Sequence, residues 1–229
     1  MFNFGWGVLF VLVNFALFLI CYRAFGKSGM YAWIGFATVL ANIQVVKTID
    51  MFGLVMTLGN TAYGTIYLAS DLLNEKYGDR DAKKAVWFGF FSLLASTIIM
   101  QMALKFNPVE TDFGQEPMEI IFGLLPSIAI GSLTAYFVSQ FLDVRIYSYL
   151  KRRFPKPGQL WIRNNGSTLV GQFVDSLIFC TIAFGLSGDY TFDVWIQIFF
   201  TTYLFKFIIS AASTPVLYIA RTFKFKPEA

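Results

Sequence analysis

The stretch GWGVLFVLVNFALFLICY, Gly5 to Tyr22, holds no Asp, Glu, Lys or Arg and a single amide side chain, Asn14. A helix needs about 20 predominantly apolar residues to cross a hydrocarbon layer of roughly 30 Å, so this run reads as a membrane span. It has no basic leader and no small-x-small end, and is read as a retained helix rather than a signal peptide. Six more windows of the same kind follow at Met30–Ile49, Leu54–Leu73, Ala85–Phe106, Met118–Leu142, Thr168–Leu186 and Val194–Ile219. The class that follows is an all-α integral membrane protein, a bundle of about seven transmembrane helices. Composition agrees: of 229 residues 56% are hydrophobic and 14% charged, where soluble domains carry about 25% charged residues. Mean hydropathy is +0.60. A single transmembrane domain over 1–229 is expected, with 1–29 an additional N-terminal helix and loop, 30–221 the core and 222–229 a cytoplasmic tail.

Charge orients the bundle. Alternate connections carry Arg23 and Lys27, then Lys76, Arg80, Lys83 and Lys84, then Arg145, Lys151, Arg152, Arg153, Lys156 and Arg163, then Arg221, Lys224 and Lys226. The intervening connections hold Lys105 among Glu110, Asp112, Glu116, Asp189 and Asp193. Because basic loops stay in the cytoplasm, the N-terminus is expected outside and the C-terminus inside, and an even span count would strand two basic loops on the wrong face. Trp6 and Trp195 then fall near outer helix ends and Trp33, Trp87 and Trp161 near inner ones, as an aromatic belt requires. The segment Ile146–Ile162, basic residues interleaved with Tyr147, Tyr149, Phe154 and Trp161, is expected along the cytoplasmic interface. Anionic lipid headgroups account for its charge, and no nucleic-acid partner is implied.

The chain has no histidine and two cysteines, Cys21 and Cys180, each inside an apolar window. His-based relays, the usual metal sites and a disulfide framework are thereby disfavoured, and no metal, cofactor or catalytic residue is expected. With no Walker motif, no GxSxG and no intramembrane Ser/Lys constellation, the chain reads as a non-enzyme that cannot itself hydrolyse ATP.

Polar residues inside the windows are few and patterned. Asn60, Tyr63, Gly64, Tyr67, Asp71 and Glu75 recur at spacings of three and four, so one face of the third helix carries a polar stripe. Ser132, Tyr136, Gln140 and Asp143 repeat the pattern in the fifth helix, and Thr168, Gln172 and Asp175 in the sixth. Three stripes imply a shared wet interior, since charged groups in lipid cost about 2.5–3.5 kcal/mol each on insertion scales. Asp175 and Lys206 lie near mid-bilayer on the last two helices, either as a structural ion pair or as part of a site. Gly64, Gly131 and Gly171 read as close-packing points. Asn60–Gly64 echoes Ser167–Gly171, each followed by an aspartate, which raises two inverted three-helix halves with a site between them. A cavity of carboxylates, carboxamides and aromatic rings suits a flat, nitrogen-rich solute, although periodicity alone leaves an amino acid or a cation open.

The motifs Tyr67-Leu-Ala-Ser-Asp71-Leu-Leu-Asn-Glu75-Lys-Tyr-Gly78, Ser139-Gln140-Phe-Leu-Asp143-Val, Ser167-Thr168-Leu-Val-Gly171-Gln172-Phe-Val-Asp175-Ser176 and Lys206, in that order, resemble the queuosine precursor transporter family. The likeness runs roughly from Met30 to Arg221 and implies a multi-pass cell-membrane importer of 7-deazaguanine bases used in transfer-RNA modification. It carries over Asp71, Glu75, Gln140, Asp143, Ser167, Gln172, Asp175 and Lys206, to which the third-helix stripe adds Asn60 and Tyr67. The expected roles put Asp175 on the amino-pyrimidine edge, Gln172 on the ring carbonyl, Lys206 holding Asp175 ionised, and Asp71 with Glu75 gating the inner mouth. Some relatives have Asn where Gln172 stands, so the carboxamide rather than its reach is the transferable feature. A neutral precursor is favoured beside Lys206, and a homodimer is expected as the assembly.

Two readings compete. Lys206 in a last helix resembles the Schiff-base lysine of retinal proteins, but Thr202 rather than an acid precedes it by one turn and Asp71 lies too near the cytoplasmic face to be a counter-ion. Alternatively the chain captures the base for a separate ATP-driven partner, which transport by the chain alone would exclude.

Overall fold

The computed structural model describes residues 2–51, 54–123, 126–185 and 191–225. Lys226, Asp189, Leu186 and residues 226–229 of the expected tail lie outside them. The longest helix, α1 (Phe2–Gln44), covers the first two expected spans and is interrupted at Gly26, whose φ of 57° suits glycine. Fifteen residues of straight helix would hold Phe18 and Trp33 about 22 Å apart, yet their ring centroids are 5.8 Å apart. The chain therefore folds back at Gly26, and the Cys21 thiol reaches the Gly29 carbonyl at 3.5 Å across the turn.

Where the second window was expected to continue as helix to Ile49 and the third to begin at Leu54, α1 stops at Gln44 and a short antiparallel hairpin intervenes. Strand β1 (Thr48–Met51) pairs with β2 (Leu54–Thr57), Thr48 opposite Thr57. β-branched Thr48, Ile49, Val55 and Thr57 favour the pleated form over another helical turn. Lys47 consequently sits at the hairpin end and not inside a span.

Helix α2 (Gly59–Tyr77) is the axis of the molecule: every residue from Gly59 to Asn74 is buried, and it touches α1 and all the longer helices that follow. Its close approaches use glycine. A Cβ on Gly59 would lie 2.7 Å from the Ala41 carbonyl oxygen, one on Gly64 2.7 Å from Ile209, and one on Gly171 3.0 Å from Tyr67, so the close-packing expectation holds for Gly64 and Gly171. Gly78, at φ 92°, turns the chain into α3 (Asp79–Ala103).

The fifth window divides. Short α4 (Gln115–Phe122) ends before α5 (Pro126–Arg153), because Pro126 has no amide to continue a helix. Helix α5 then runs about three turns beyond Leu142, and after a 3-10 turn at Pro157–Gln159 helix α6 (Leu160–Cys180) begins. The segment Ile146–Ile162 is thus the end of one helix, a turn and the start of another. Helix α6 passes into a π-helical turn at Thr181–Gly185. The last window splits at Ser213 into α7 (Phe192–Ala212) and α8 (Thr214–Arg221), with Pro215 in the first turn of α8.

Among the described residues, three helical stretches, Phe2–Gln44, Asp79–Ala103 and Phe192–Arg221, are long and apolar enough to cross a membrane. They wear their apolar side chains outward, as at Leu12, Ile20, Phe91, Ile99, Phe200 and Ile208. Helices α2, α5 and α6, at 19, 28 and 21 residues, span about 28–42 Å and carry the polar stripes inside. Trp33 belongs with them: it is buried and donates to Thr65 Oγ1 at 3.0 Å, which corrects its placement in an aromatic belt. Trp6, Trp87 and Trp161 are exposed.

If close approach at α2 sets the packing, Gly59→Ala lowers stability by about 1–3 kcal/mol through overpacking against backbone. Gly158→Ala, with nothing within 4 Å of its added methyl, leaves it unchanged. Thermal unfolding of the two purified variants in detergent measures the difference.

Candidate functional site

The stripes on α2, α5 and α6 converge in the interior; nine of the ten sequence-predicted positions are buried, and the tenth, Glu75, is half-buried with its side chain 6% exposed. Three layers succeed one another along α2. In the first, Lys206 of α7 meets Asp175 Oδ2 of α6 at 2.5 Å, and Ser139 Oγ of α5 donates to Asp175 Oδ1 at 3.1 Å. The Lys206 ammonium also lies 4.6 Å from the centre of the Tyr63 ring. Gln172 Nε2 donates to Ser210 Oγ at 3.3 Å. Both Asp175 oxygens are therefore engaged by the protein, and the pair neutralises itself.

The second layer is different in kind. Asp71 of α2 and Asp143 of α5 lie close enough to interact, and the Ser167 hydroxyl stands beside Asp143, yet no oxygen of either carboxylate has a hydrogen bond of acceptable geometry. The same is true of both ends of the Gln140 carboxamide, Gln172 Oε1, the Tyr67 hydroxyl and Ser176 Oγ. Native interiors leave few polar atoms in this condition, because each forfeits about 1–3 kcal/mol of solvation without return. Concentrated on facing helices, they are donors and acceptors that the protein itself leaves unused. The set offers acceptors at two carboxylates, a donor and an acceptor at the Gln140 carboxamide, an acceptor at Gln172 Oε1 and an aromatic face at Tyr67.

In the third layer Glu75 Oε1 meets Arg163 Nη2 at 2.9 Å and Arg221 Nε at 3.3 Å. Tyr147 donates to Glu75 Oε2 at 3.1 Å, and Arg163 Nη1 donates to the Phe154 and Lys156 carbonyls at 2.6 and 3.1 Å. Lys151 Nζ caps the end of α2 through the Asn74 and Glu75 carbonyls at 2.7 Å each. The cluster ties α2, α5, α6 and α8 together. Around it gather Lys27, paired with Asp81 at 2.7 Å, and Lys76, which donates to the Phe223 carbonyl, so the basic connections share one end of the bundle.

Asn60 alone stands apart: eleven residues of helix place it about 16 Å along α2 from Asp71. The sequence reading counted Arg163 among the basic connections, whereas it lies in α6, fully buried against Glu75. The missed signal was spacing, since Arg163 precedes Ser167 and Gly171 by four and eight residues on the striped face of α6. Ser139 and Tyr63 stood in a motif and a stripe without being singled out, and Tyr147 was read as part of the interfacial segment.

A family model described as "Putative vitamin uptake transporter" matches residues 57–220. The chain belongs to this family. It is 51% identical over 221 residues to a protein of Bacillus subtilis (strain 168) named probable queuosine precursor transporter, covering 96% of each chain. It is 29% identical over 154 residues to a protein of the same name from Haemophilus influenzae, covering 67% of this chain and 63% of that one. A queuosine precursor transporter of Escherichia coli (strain K12) is 28% identical over 171 residues, 74% of each chain. No solved structure matches the chain. The resemblance drawn from the four motifs is thus shown, and the relatives are transporters rather than enzymes.

Removing one member of a buried ion cluster costs about 3–5 kcal/mol, because the other charge is left unpaired. Glu75→Gln therefore lowers the unfolding temperature sharply, and Glu75→Gln with Arg163→Gln recovers part of the loss; additive losses in the double variant would show that the two side chains are not coupled.

Proposed function

We propose that the chain imports a 7-deazaguanine queuosine precursor across the cell membrane, presenting one buried site alternately to each side. The observation that carries this is the set of unpaired polar atoms on Asp71, Asp143, Gln140 and Gln172 beside the Tyr67 ring, in a chain whose relatives are named queuosine precursor transporters. A guanine-like base offers adjacent N–H donors that a carboxylate can accept, a ring carbonyl that a carboxamide can donate to, and a flat face that stacks on an aromatic ring. Because Asp175 is held by Lys206 and Ser139, the carboxylate that accepts from the base is Asp143, with Asp71 behind it, and Asp175 fixes Lys206 at the site wall. That assignment moves the amino-pyrimidine contact from the residue expected in the sequence.

It also alters the expected preference among precursors. Lys206 is neutralised by Asp175, while Asp71 and Asp143 meet no cationic side chain in any ion pair among the described residues. An aminomethyl base carrying a positive charge gains a counter-charge there, so it is accepted at least as well as the neutral nitrile form. The Glu75 cluster is the inner gate: it joins four helices and lies with the basic residues that the positive-inside rule places in the cytoplasm. In this reading the chain spans the membrane seven times, with the N-terminus outside, the C-terminus inside and the α1 fold-back supplying the first two spans. It works without an ATP-driven partner, as a homodimer paired through its apolar outer helices.

Cells lacking their own synthesis and salvage of the base test this directly, with modification of transfer RNA as the end point. Expression of the chain restores modification, whereas Asp143→Asn and Gln140→Ala, at equal protein level, cut radiolabelled uptake about tenfold or more. Full uptake by both variants removes them from the site. Uptake by the purified chain in liposomes excludes an obligatory partner, and competition there between nitrile and aminomethyl bases ranks the substrates.

A further inference from the structure

At the end of the bundle away from the Glu75 cluster, the last turns of the second half of α1, the C-terminal part of α3, helix α4 and the start of α5 enclose a cavity of about 390 Å³. Its walls are mostly apolar, with Leu93, Met100, Ile121 and Phe122, and its polar groups include Asn42, Ser96 and Thr97. Small-molecule sites have this character: roughly 300–1,000 Å³, apolar walls and few polar groups. The cavity does not stop at its walls. Ser132 Oγ donates to Asn42 Oδ1 at 2.7 Å, the Tyr63 hydroxyl lies 3.3 Å from Ser132 Oγ, and the Tyr63 ring covers Lys206, which holds Asp175. One continuous chain of side chains thus leads from the cavity to the first layer of the site.

We propose that this cavity is the outer antechamber of the transport path, taking the flat heterocyclic base from outside, and that Asn42, Ser132 and Tyr63 form the door between it and the buried site. The proposal rests on the transport reading above. The door is built from neutral groups, whereas the Glu75 cluster at the other end is built from charge-assisted contacts, which are roughly twice as strong. Swinging the Tyr63 ring breaks the 3.3 Å contact with Ser132 and uncovers Lys206; opening the other end must separate Glu75 from two arginines and a tyrosine. The outer door is therefore the more easily opened of the two closures. Tyr63 suits the task because its ring matches the base in shape, so a stacking face meets the base as it passes.

Thiol labelling tests the proposal. In a chain with Cys21→Ser and Cys180→Ala, Thr97→Cys places a probe in the cavity, where the native hydroxyl only bonds back to the Leu93 carbonyl of its own helix. Ile98→Cys, one position on and 52% exposed on the apolar surface, is the control. A membrane-impermeant thiol reagent added to intact cells is expected to react with Thr97→Cys about tenfold faster than with Ile98→Cys, and a precursor base to slow it. Ser176→Cys, behind the door, is expected to react slowly, and about fivefold faster once Tyr63→Phe removes the hydroxyl contact. Equal reaction at positions 97 and 98 would make the cavity a lipid-facing groove and overturn the antechamber. Labelling that the base leaves unchanged, in cells that take it up, overturns the base as occupant, and no effect of Tyr63→Phe overturns the door. If the parent chain takes up no base, it is the transport reading that fails, and the contrast between positions 97 and 98 still decides whether the cavity opens outward.

Discussion

A carboxylate inside a membrane protein must find its compensation within the protein, and the interior of this one meets that demand in three ways. Asp175 takes a lysine and a serine. Glu75 takes two arginines and a tyrosine. Asp71 and Asp143 have only each other and a neighbouring serine. The first arrangement is closed, since charge and hydrogen bonds are satisfied where they stand. The second is strong but extended over four helices, so any motion separating those helices must rehydrate several charges together. Only the third leaves acceptors for something else to use. The order of these layers along α2 therefore separates carboxylates that the protein satisfies from those it leaves open.

Placing such groups inside requires a helix with no lipid-facing side, and α2 is that helix. Its low hydropathy follows from the polar stripe, and its burial from a surrounding set of apolar helices. Among the described residues, the three stretches long and apolar enough to cross a membrane are those with apolar side chains facing outward. Lipid and site thus sort the helices by opposite criteria: an outer helix is recognisable by what it lacks, and an inner one by the spacing of its polar residues. Glycines at the crossings keep the inner helices close, as Gly64 against Ile209 and Gly171 against Tyr67 and Asp143.

This sorting explains what could be read from the sequence. Stripes at spacings of three and four placed Asp71, Gln140, Asp143, Gln172 and Asp175 in one interior, since period alone decides which residues share a helical face. The Asp175–Lys206 contact was legible because both stood at similar depth on successive helices. Harder to read were the ends of helices. The hairpin at Thr48–Thr57 and the extension of α5 to Arg153 depend on local pleating and on partners distant in sequence, which hydropathy windows do not register. Arg163 was misplaced for the same reason: a basic residue near a helix end reads as part of a loop unless its partner, 88 positions earlier at Glu75, is known. Trp33 is parallel, an interface residue by composition but a Thr65 partner in the fold.

The two ends of the bundle close by unlike physics. At the basic end the closure is ionic, and the C-terminal segment lies over it: Phe223 and Phe225 pack on Tyr22, while Lys76 sits over the Tyr22 and Phe225 rings and bonds the Phe223 carbonyl. Opening there exposes charged groups, which water solvates well, so the cost of breaking contacts is partly returned as hydration. At the hairpin end the closing groups are neutral and surrounded by apolar walls, so hydration returns less but there is less to break. Two closures of such different composition respond differently to ionic strength: screening acts on the ionic one wherever water reaches it and scarcely on the neutral one. Under the proposed transport reading, the ionic end alone can therefore bias which side the candidate site faces, leaving the layer of Asp71 and Asp143 between the two closures unaltered.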